Sequence, residues 1–440
     1  MPPIPVLERP GARTTVSGPA AAPRRPGGGE RDLFLDALRL LVIVWVVVQH
    51  WALPTLSFSS GTLAMGSVLD TPGGFALTWI AQVMPLIFFV GGAANLLSLR
   101  AAAAKGTAVS AWLARRLRRL AWPVVPLAAL WLPSSYLLIA AGVPEQPVRV
   151  GAAAAGIVLW FLAVYVLVVV ATPVLARAQN RYGWGVVGAL LAAAATVDLL
   201  RFATGAAEIG YLNVAFVWLG VHQLGFCYAG GALGRRTAAL LALGGTAAGG
   251  ALAVFGPYSP NMTGVFAAEA SNIAPPTLVL AAVGAGQVGL AVLLRGRIRT
   301  WAARPVPGRV LDWARPRLMT VYLWHMAPLA ALAGVLVIGL GIDTPEPLTG
   351  RWLLWCAAGV GLLVPLLWPV AAWAVRFEEP PRALRGDPGM AGSLAAAALT
   401  GAGLVILLTG GLDPGVLPVL GVFAVAAGLT ATVPWRRSTR

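Results

Sequence analysis

Apolar stretches recur along this chain between residues 33 and 433, and each is close to the roughly 20 residues that cross a bilayer as one helix. Hydrophobic residues make up 58% of the chain and charged residues only 11%. Soluble domains usually carry about 25% charged residues, so a water-soluble fold is excluded. The pattern predicts an all-α integral membrane protein, a polytopic bundle of about 12 transmembrane helices.

The arginines test this prediction, because basic residues concentrate in the cytoplasmic loops of membrane proteins. They fall in alternate loops, and the loops on the other side hold only Arg149, Arg201 and Arg351. This asymmetry predicts a cytoplasmic (inner) membrane protein with both termini in the cytoplasm, and it accounts for the net charge of +16 without nucleic acid. The predicted spans lie near residues 33–54, 75–99, 120–141, 152–175, 184–200, 212–233, 238–255, 273–294, 318–340, 352–375, 392–410 and 415–433.

All three histidines, His50, His222 and His325, fall inside predicted spans, on helices one, six and nine. Ionisable side chains inside a membrane are costly and usually mark a functional interior site. Any one of them could instead make a structural hydrogen bond between helices. Because none lies in a loop, the set favours one shared interior site.

The first span, DALRLLVIVWVVVQHW, carries charge at one end and an imidazole at the other. Arg39 and His50 are eleven residues apart, close to three helical turns, so they project from nearly the same face roughly 16 Å apart along the axis. Asp36 lies three residues before Arg39 on that face. The stripe predicts the lining of a polar channel. His50 lies near the outer boundary if the span begins at Leu33, and at its middle if the span begins at Leu40.

A second cluster is ARRLRRLAWPVVP, in which Arg116 and Arg119 share one helix face. Arginines here are explained by anchoring beside anionic lipid. They also suit a phosphorylated ligand, since guanidinium binds phosphate bidentately. The ninth span, RPRLMTVYLWHMAPL, places Tyr322 one turn before His325 and Pro328 after it.

Together these segments resemble the membrane acyltransferase-3 family of bacterial O-acyltransferases. LDALRLLVIVWVVVQH is similar to the family's first-helix Arg-x10-His signature, and Arg116 and Arg119 are similar to its Arg-x-x-Arg element. MPLIFFVGGAANLL, LWFLAVYVLVVVATPVL and VYLWHMAPL resemble further family segments. VWLGVHQLGF and NMTGVFAAEASNIAPPT resemble an actinobacterial-type subgroup. Gly91-Gly92 departs from the Ser-Gly of many members.

The resemblance implies a domain organisation. A disordered cytoplasmic tail covers residues 1–31, and a ten-helix membrane acyltransferase domain covers 32–376. A cytoplasmic linker covers 377–391, and two extra transmembrane helices with a basic tail cover 392–440.

The resemblance also implies an enzyme that moves an acyl group, expected to be acetyl, from cytoplasmic acyl-CoA to a hydroxyl of a sugar or another envelope or secondary-metabolite acceptor. His50 would be the general base or a transient acyl carrier, and Arg39 would orient the donor or stabilise the thioester oxygen. Arg116 and Arg119 would hold the CoA phosphates. Further candidates for substrate or donor binding are Asp36, His222, Asn261, Tyr322 and His325.

Acyl-CoA is expected as a co-substrate without a permanently bound cofactor or metal, and the expected partners are the sugar or glycoconjugate acceptor and membrane lipids. Two alternatives stay open: a twelve-helix secondary transporter and a non-catalytic scaffold for envelope assembly.

Overall fold

The computed structural model describes residues 32–264, 271–413 and 415–434. These residues are predominantly helical, which confirms the all-α membrane class. The helices of the first half are α1 (Leu33–Ala52), α2 (Phe75–Ala81), α3 (Met84–Ala104), α4 (Val109–Ala121), α5 (Val124–Ala140), α6 (Glu145–Ile157), α7 (Leu159–Tyr182), α8 (Gly185–Thr204) and α9 (Asn213–Ala229). Those of the second half are α10 (Arg235–Phe255), α11 (Leu278–Leu293), α12 (Arg295–Ala302), α13 (Pro305–Ala314), α14 (Leu318–Trp324), α15 (Met326–Ala333), α16 (Gly350–Ala374), α17 (Gly389–Gly410) and α18 (Val416–Ala431).

Within the described ranges, nine helical segments are long and apolar enough to cross a membrane, and two bent helix pairs raise the number to eleven. Each predicted span has a helix at its position. The twelfth, α18, has only 16 residues and is shorter than a usual span.

Helix α1 begins at an N-cap, where the Asp32 carboxylate accepts from the Phe34 amide at 3.0 Å. It ends at Ala52, two residues before Pro54, because proline cannot donate to the preceding turn. His50 therefore lies in the last turn of the helix, as expected for a span that begins at Leu33.

A two-stranded hairpin follows α1 and was not predicted. Strands β1 (Pro54–Ser59) and β2 (Thr62–Ser67) pair antiparallel around Ser60 and Gly61, which have φ angles of 49° and 78°. Positive φ at both central residues suits the right-handed twist of a tight hairpin. The hairpin is attached to the bundle through Thr344, whose hydroxyl accepts from Leu56 N at 3.0 Å.

The helix predicted over 318–340 is broken at His325, where α13–α14 and α15 meet at an angle of 43°. Pro328 has no N–H to donate to the carbonyl of Trp324 four residues earlier, so the α-helical bonding is interrupted there. The same proline is well placed in the first turn of α15. The break positions His325 at a corner of the chain.

The last two helices pack against α4, α5, α6 and α7 of the preceding bundle. α17 contacts α4, α6 and α7, and α18 contacts α4 and α5. The linker before them includes a short 3-10 turn, Arg382–Leu384, and is bonded to α4 through Ser110 and Arg118. Helices α17 and α18 thus belong to the same compact unit as the ten-helix region.

Candidate active site

A cavity of about 210 Å³ opens between α1, α3, α4, α7 and α14. Its walls combine four arginines and one glutamate with aromatic and aliphatic side chains. They comprise Arg39, Arg116, Arg119, Arg315, Glu378, Phe161, Tyr165, Tyr322, Ile43, Ile87, Val90, Gly91, Ala94, Leu120, Pro123, Val169, Pro316, Leu318 and Met319. The arginine content makes the cavity a site for an anionic ligand.

Three of the four arginines are those predicted from sequence, and two helices present them. Arg39 comes from α1, and Arg116 and Arg119 share one face of α4. On the opposite side of α4, Ala114, Leu117 and Ala121 are fully buried in the bundle. This amphipathic pattern is why the arginines point towards the cavity and solvent.

Arg116 is the most constrained of the three. Its Nη2 donates to the Ala94 carbonyl on α3 at 3.3 Å, and its guanidinium lies 5.6 Å from the centre of the Trp112 ring. Its Nε is buried and has no hydrogen-bond partner among the described residues. Buried donors are normally paired, so this N–H suits a ligand that enters the cavity.

Three wall residues were missed in the sequence analysis. Arg315 lies in an arginine-rich segment that was explained by topology alone, and Tyr165 lies in a helix whose pattern is uniformly apolar. Glu378 lies beyond residue 376, the expected end of the domain. Its carboxylate accepts from the amide and hydroxyl of Thr320 at 2.9 and 2.7 Å, which fixes the chain after α16 against α14.

The glycine pair on α3 has two separate roles. A Cβ on Gly91 would lie 2.7 Å from the Tyr165 hydroxyl, so the tyrosine occupies the space that a side chain at 91 would need. A Cβ on Gly92 would lie 2.0 Å from the His222 carbonyl of α9, so this glycine permits the close crossing of α3 and α9.

The structure brings two of the three histidines together. Nδ1 of His50 lies 2.7 Å from Nε2 of His325, and the two rings stack with centroids 5.0 Å apart and planes 8° apart. His325 Nδ1 lies 2.7 Å from the Tyr322 carbonyl, and the His325 carbonyl accepts from Trp51 Nε1 at 2.8 Å. His325 is fully buried and His50 is half-buried.

These contacts determine the tautomers of a neutral pair. A carbonyl only accepts, so His325 Nδ1 carries the proton and His325 Nε2 has the lone pair. His50 Nδ1 must then donate to it, which leaves the lone pair of His50 on Nε2. His50 thus has an orienting partner, and its Nε2 has no hydrogen-bond partner within the part of the chain that the structure describes, an arrangement that suits a general-base histidine.

The histidine pair lies outside the cavity walls. Tyr322 links the two sites, because its side chain lines the cavity while its carbonyl binds His325. The Tyr322 hydroxyl donates to the Val158 carbonyl at 2.8 Å, which holds the ring in the cavity wall.

The other predicted residues lie elsewhere. Asp36 is on α1 but not on the cavity wall. His222 is fully buried between α9 and α3, where its Nε2 lies 3.3 Å from Asn95 Nδ2. Asn261 lies in the segment between α10 and α11, and its carbonyl accepts from the Asn272 side chain at 2.9 Å. The structure does not bring these three residues to the arginine cavity.

A family model described as an acyltransferase domain, of the acyltransferase-3 type, matches residues 32–374, more than half of the chain. The match begins at the N-cap of α1 and ends at the last residue of α16. No curated protein and no solved structure matches the chain.

Proposed function

The chain belongs to the acyltransferase-3 family and is a membrane acyltransferase, and on this premise we propose that it transfers an acetyl group from acyl-CoA to a hydroxyl of a sugar or a related acceptor. The acceptor belongs to the envelope or to a secondary metabolite. The transporter and scaffold alternatives receive no support from the family match.

The observation that carries the donor assignment is the arginine cavity. Acyl-CoA has an anionic phosphate end and a long, narrow arm that ends in the thioester. The cavity offers Arg39, Arg116 and Arg119 to the phosphates, and it offers an apolar wall that includes Phe161 and Leu120 to the arm. The unpaired Arg116 Nε is one donor for a phosphate oxygen. The arginine-rich end of the bundle would then face the cytoplasm, where acyl-CoA is made.

The chemistry is assigned to His50. Its Nε2 removes the proton of the acceptor hydroxyl while the oxygen attacks the thioester carbonyl, so a C–O bond forms and the C–S bond breaks. The CoA thiolate leaves and takes the proton from the His50 imidazolium. During the step, the Nδ1–H of His50 stays bonded to His325, which stabilises the imidazolium and keeps Nε2 aimed at the acceptor.

Arg39 was expected either to orient the donor or to stabilise the thioester oxygen, and helix geometry favours the first role. Eleven residues at the α-helical rise place Arg39 and His50 roughly 16 Å apart along α1. Arg39 therefore holds the donor within the cavity, and the Tyr322 side chain must move for the thioester to reach His50.

The donor assignment can be tested on purified protein in lipid nanodiscs. Acetyl-CoA binding is measured by calorimetry for the wild type, for His50→Ala and for Arg116→Ala/Arg119→Ala. The matched control is Arg235→Ala/Arg236→Ala, which removes two exposed arginines from the start of α10. ATP serves as a control for generic phosphate binding.

We expect the Arg116/Arg119 variant alone to lose acetyl-CoA, while His50→Ala binds but transfers no acetyl group. If folded wild-type protein binds neither acetyl-CoA nor a longer acyl-CoA, the proposed function is wrong. An acetyl group found on His50 by mass spectrometry would identify the acyl-carrier mechanism instead of the general base.

A further inference from the structure

A second cleft, of about 430 Å³, lies beside the arginine cavity and shares Arg119 with it. Four of its wall residues are arginines, against one glutamate. The walls comprise Ala111, Arg115, Arg118, Arg119, Glu379, Pro380, Arg385 and Gly386. Half of this cleft comes from residues 379–386, which lie beyond the segment matched by the family model.

The linker that forms this half is held against α4 by Arg118. This side chain is 5% exposed, and its guanidinium donates to the carbonyls of Leu384 and Gly386, the latter at 2.7 Å. Ser110 adds a hydrogen bond of 3.0 Å to the Asp387 carboxylate. Arg118 is thus a structural residue, and its bonds keep the linker beside the arginines of α4.

The other three arginines of the cleft are available to a ligand. Arg115, Arg119 and Arg385 are exposed, and within the described parts of the chain none of them forms a hydrogen bond or an ion pair. Like charges this close repel one another, and an anion relieves that repulsion. A phosphomonoester carries about 1.5 to 2 negative charges near neutral pH and offers three acceptor oxygens.

We propose that this cleft binds the 3′-phosphoadenosine end of the acyl-CoA donor, with Arg385 and Arg115 as phosphate ligands. The inference rests on the proposed function. The thioester must reach Tyr322 and His325 through the arginine cavity. The nucleotide end of the donor therefore stays at the cytoplasmic opening of that cavity. Arg119 is common to both cavities, so one donor can occupy them together. The linker is therefore part of the donor site.

The test compares acetyl-CoA with its 3′-dephospho form, by calorimetry in nanodiscs of phosphatidylcholine. Arg385→Ala is the test variant. Arg382→Ala is the matched control, because it removes an exposed arginine of the same linker that does not line the cleft. We expect Arg385→Ala to raise the Kd for acetyl-CoA about fivefold, as for an exposed charge contact, and Arg382→Ala to leave it unchanged. For the 3′-dephospho form, Arg385→Ala should have no further effect.

The outcomes separate the two proposals. If the wild type binds acetyl-CoA and the two linker variants bind it equally well, the cleft is not a nucleotide site while the donor assignment stands. If the wild type binds no acyl-CoA, the proposed function itself fails. Nanodiscs containing phosphatidylglycerol test the other source of phosphate. If Arg385→Ala weakens binding of phosphatidylglycerol but leaves the Kd for acetyl-CoA unchanged, the cleft is a lipid headgroup site and the inference is overturned.

Discussion

Replacement of His325 by leucine isolates the role of the histidine pair. His325 Nε2 accepts from His50 Nδ1 at 2.7 Å, and leucine removes this acceptor from a buried position. An unsatisfied buried donor costs about 1–3 kcal/mol. If the cost falls on the transition state, in which His50 becomes an imidazolium, the rate of acetyl transfer drops roughly 5- to 150-fold.

The assay separates this effect from a loss of fold or of donor binding. Transfer of labelled acetyl from acetyl-CoA is measured in membranes from cells that express each variant. Acetyl-CoA binding is measured on the purified protein. His325 does not line the arginine cavity, so His325→Leu should bind acetyl-CoA like the wild type. His325→Gln is the conservative control, because its amide oxygen can still accept from His50.

The reasoning is refuted if His325→Leu transfers acetyl at the wild-type rate. It is also refuted if the leucine and glutamine variants lose activity equally while both still bind acetyl-CoA. In the second case His325 would act through its own proton or its bulk and not as an acceptor for His50.

Three further substitutions test the packing around the site. Gly225→Ala should lower the Tm, because its Cβ would lie 2.2 Å from a backbone carbonyl of α3 and overpacking costs about 1–3 kcal/mol. The control is Gly244→Ala, whose Cβ would meet no atom within 4 Å and which should leave the Tm unchanged. Equal Tm values for the two variants would contradict this prediction. Asp198→Ala should also lower the Tm without changing acetyl-CoA affinity. The Asp198 carboxylate accepts from the Asn213 side chain, the Tyr258 hydroxyl and the Leu278 amide, and each donor left without this acceptor costs about 1–3 kcal/mol. An unchanged Tm would contradict this prediction. Gly91→Leu should prevent acetyl-CoA binding, because the leucine side chain collides with Tyr165 and fills the cavity. The double variant Gly91→Leu/Tyr165→Ala should recover part of the acetyl-CoA binding in the same calorimetric titration.

The helices were predictable because an apolar stretch of about twenty residues has few other ways to satisfy its backbone inside lipid. The hairpin after α1 was not, because PTLSFSSGTLAMGS is rich in serine and threonine and resembles an ordinary loop between two apolar stretches. Its Ser60-Gly61 dipeptide was the available signal for a turn. The membership of an actinobacterial-type subgroup stays a prediction.

The candidate site was predictable only where its residues are neighbours in sequence. Arg116 and Arg119 are one helical turn apart, so their shared face follows from helix geometry. The contact between His50 and His325 joins residues 275 positions apart, and it depends on how α1 packs against the corner before α15. Glu378 depends in the same way on the path of the chain after α16. Such contacts arise from tertiary packing, which no local pattern encodes.

The aromatic side chains packed around Tyr322 also have a consequence for proton leakage across the membrane. Phe161 packs against Tyr322 with ring centroids 5.5 Å apart, Phe88 packs against Phe161 at 5.4 Å, and Trp218 stacks on Phe88 at 4.3 Å. These rings adjoin both sites, because Phe161 and Tyr322 line the arginine cavity and the Tyr322 ring lies 6.1 Å from the His325 ring. Under the proposed function, the donor from one side of the membrane and the acceptor from the other side meet at His50. A water-filled route between the two sides would let protons cross the membrane and dissipate the proton gradient. Packed rings exclude water, so under the same proposal acetyl transfer would not open a path for protons across the membrane.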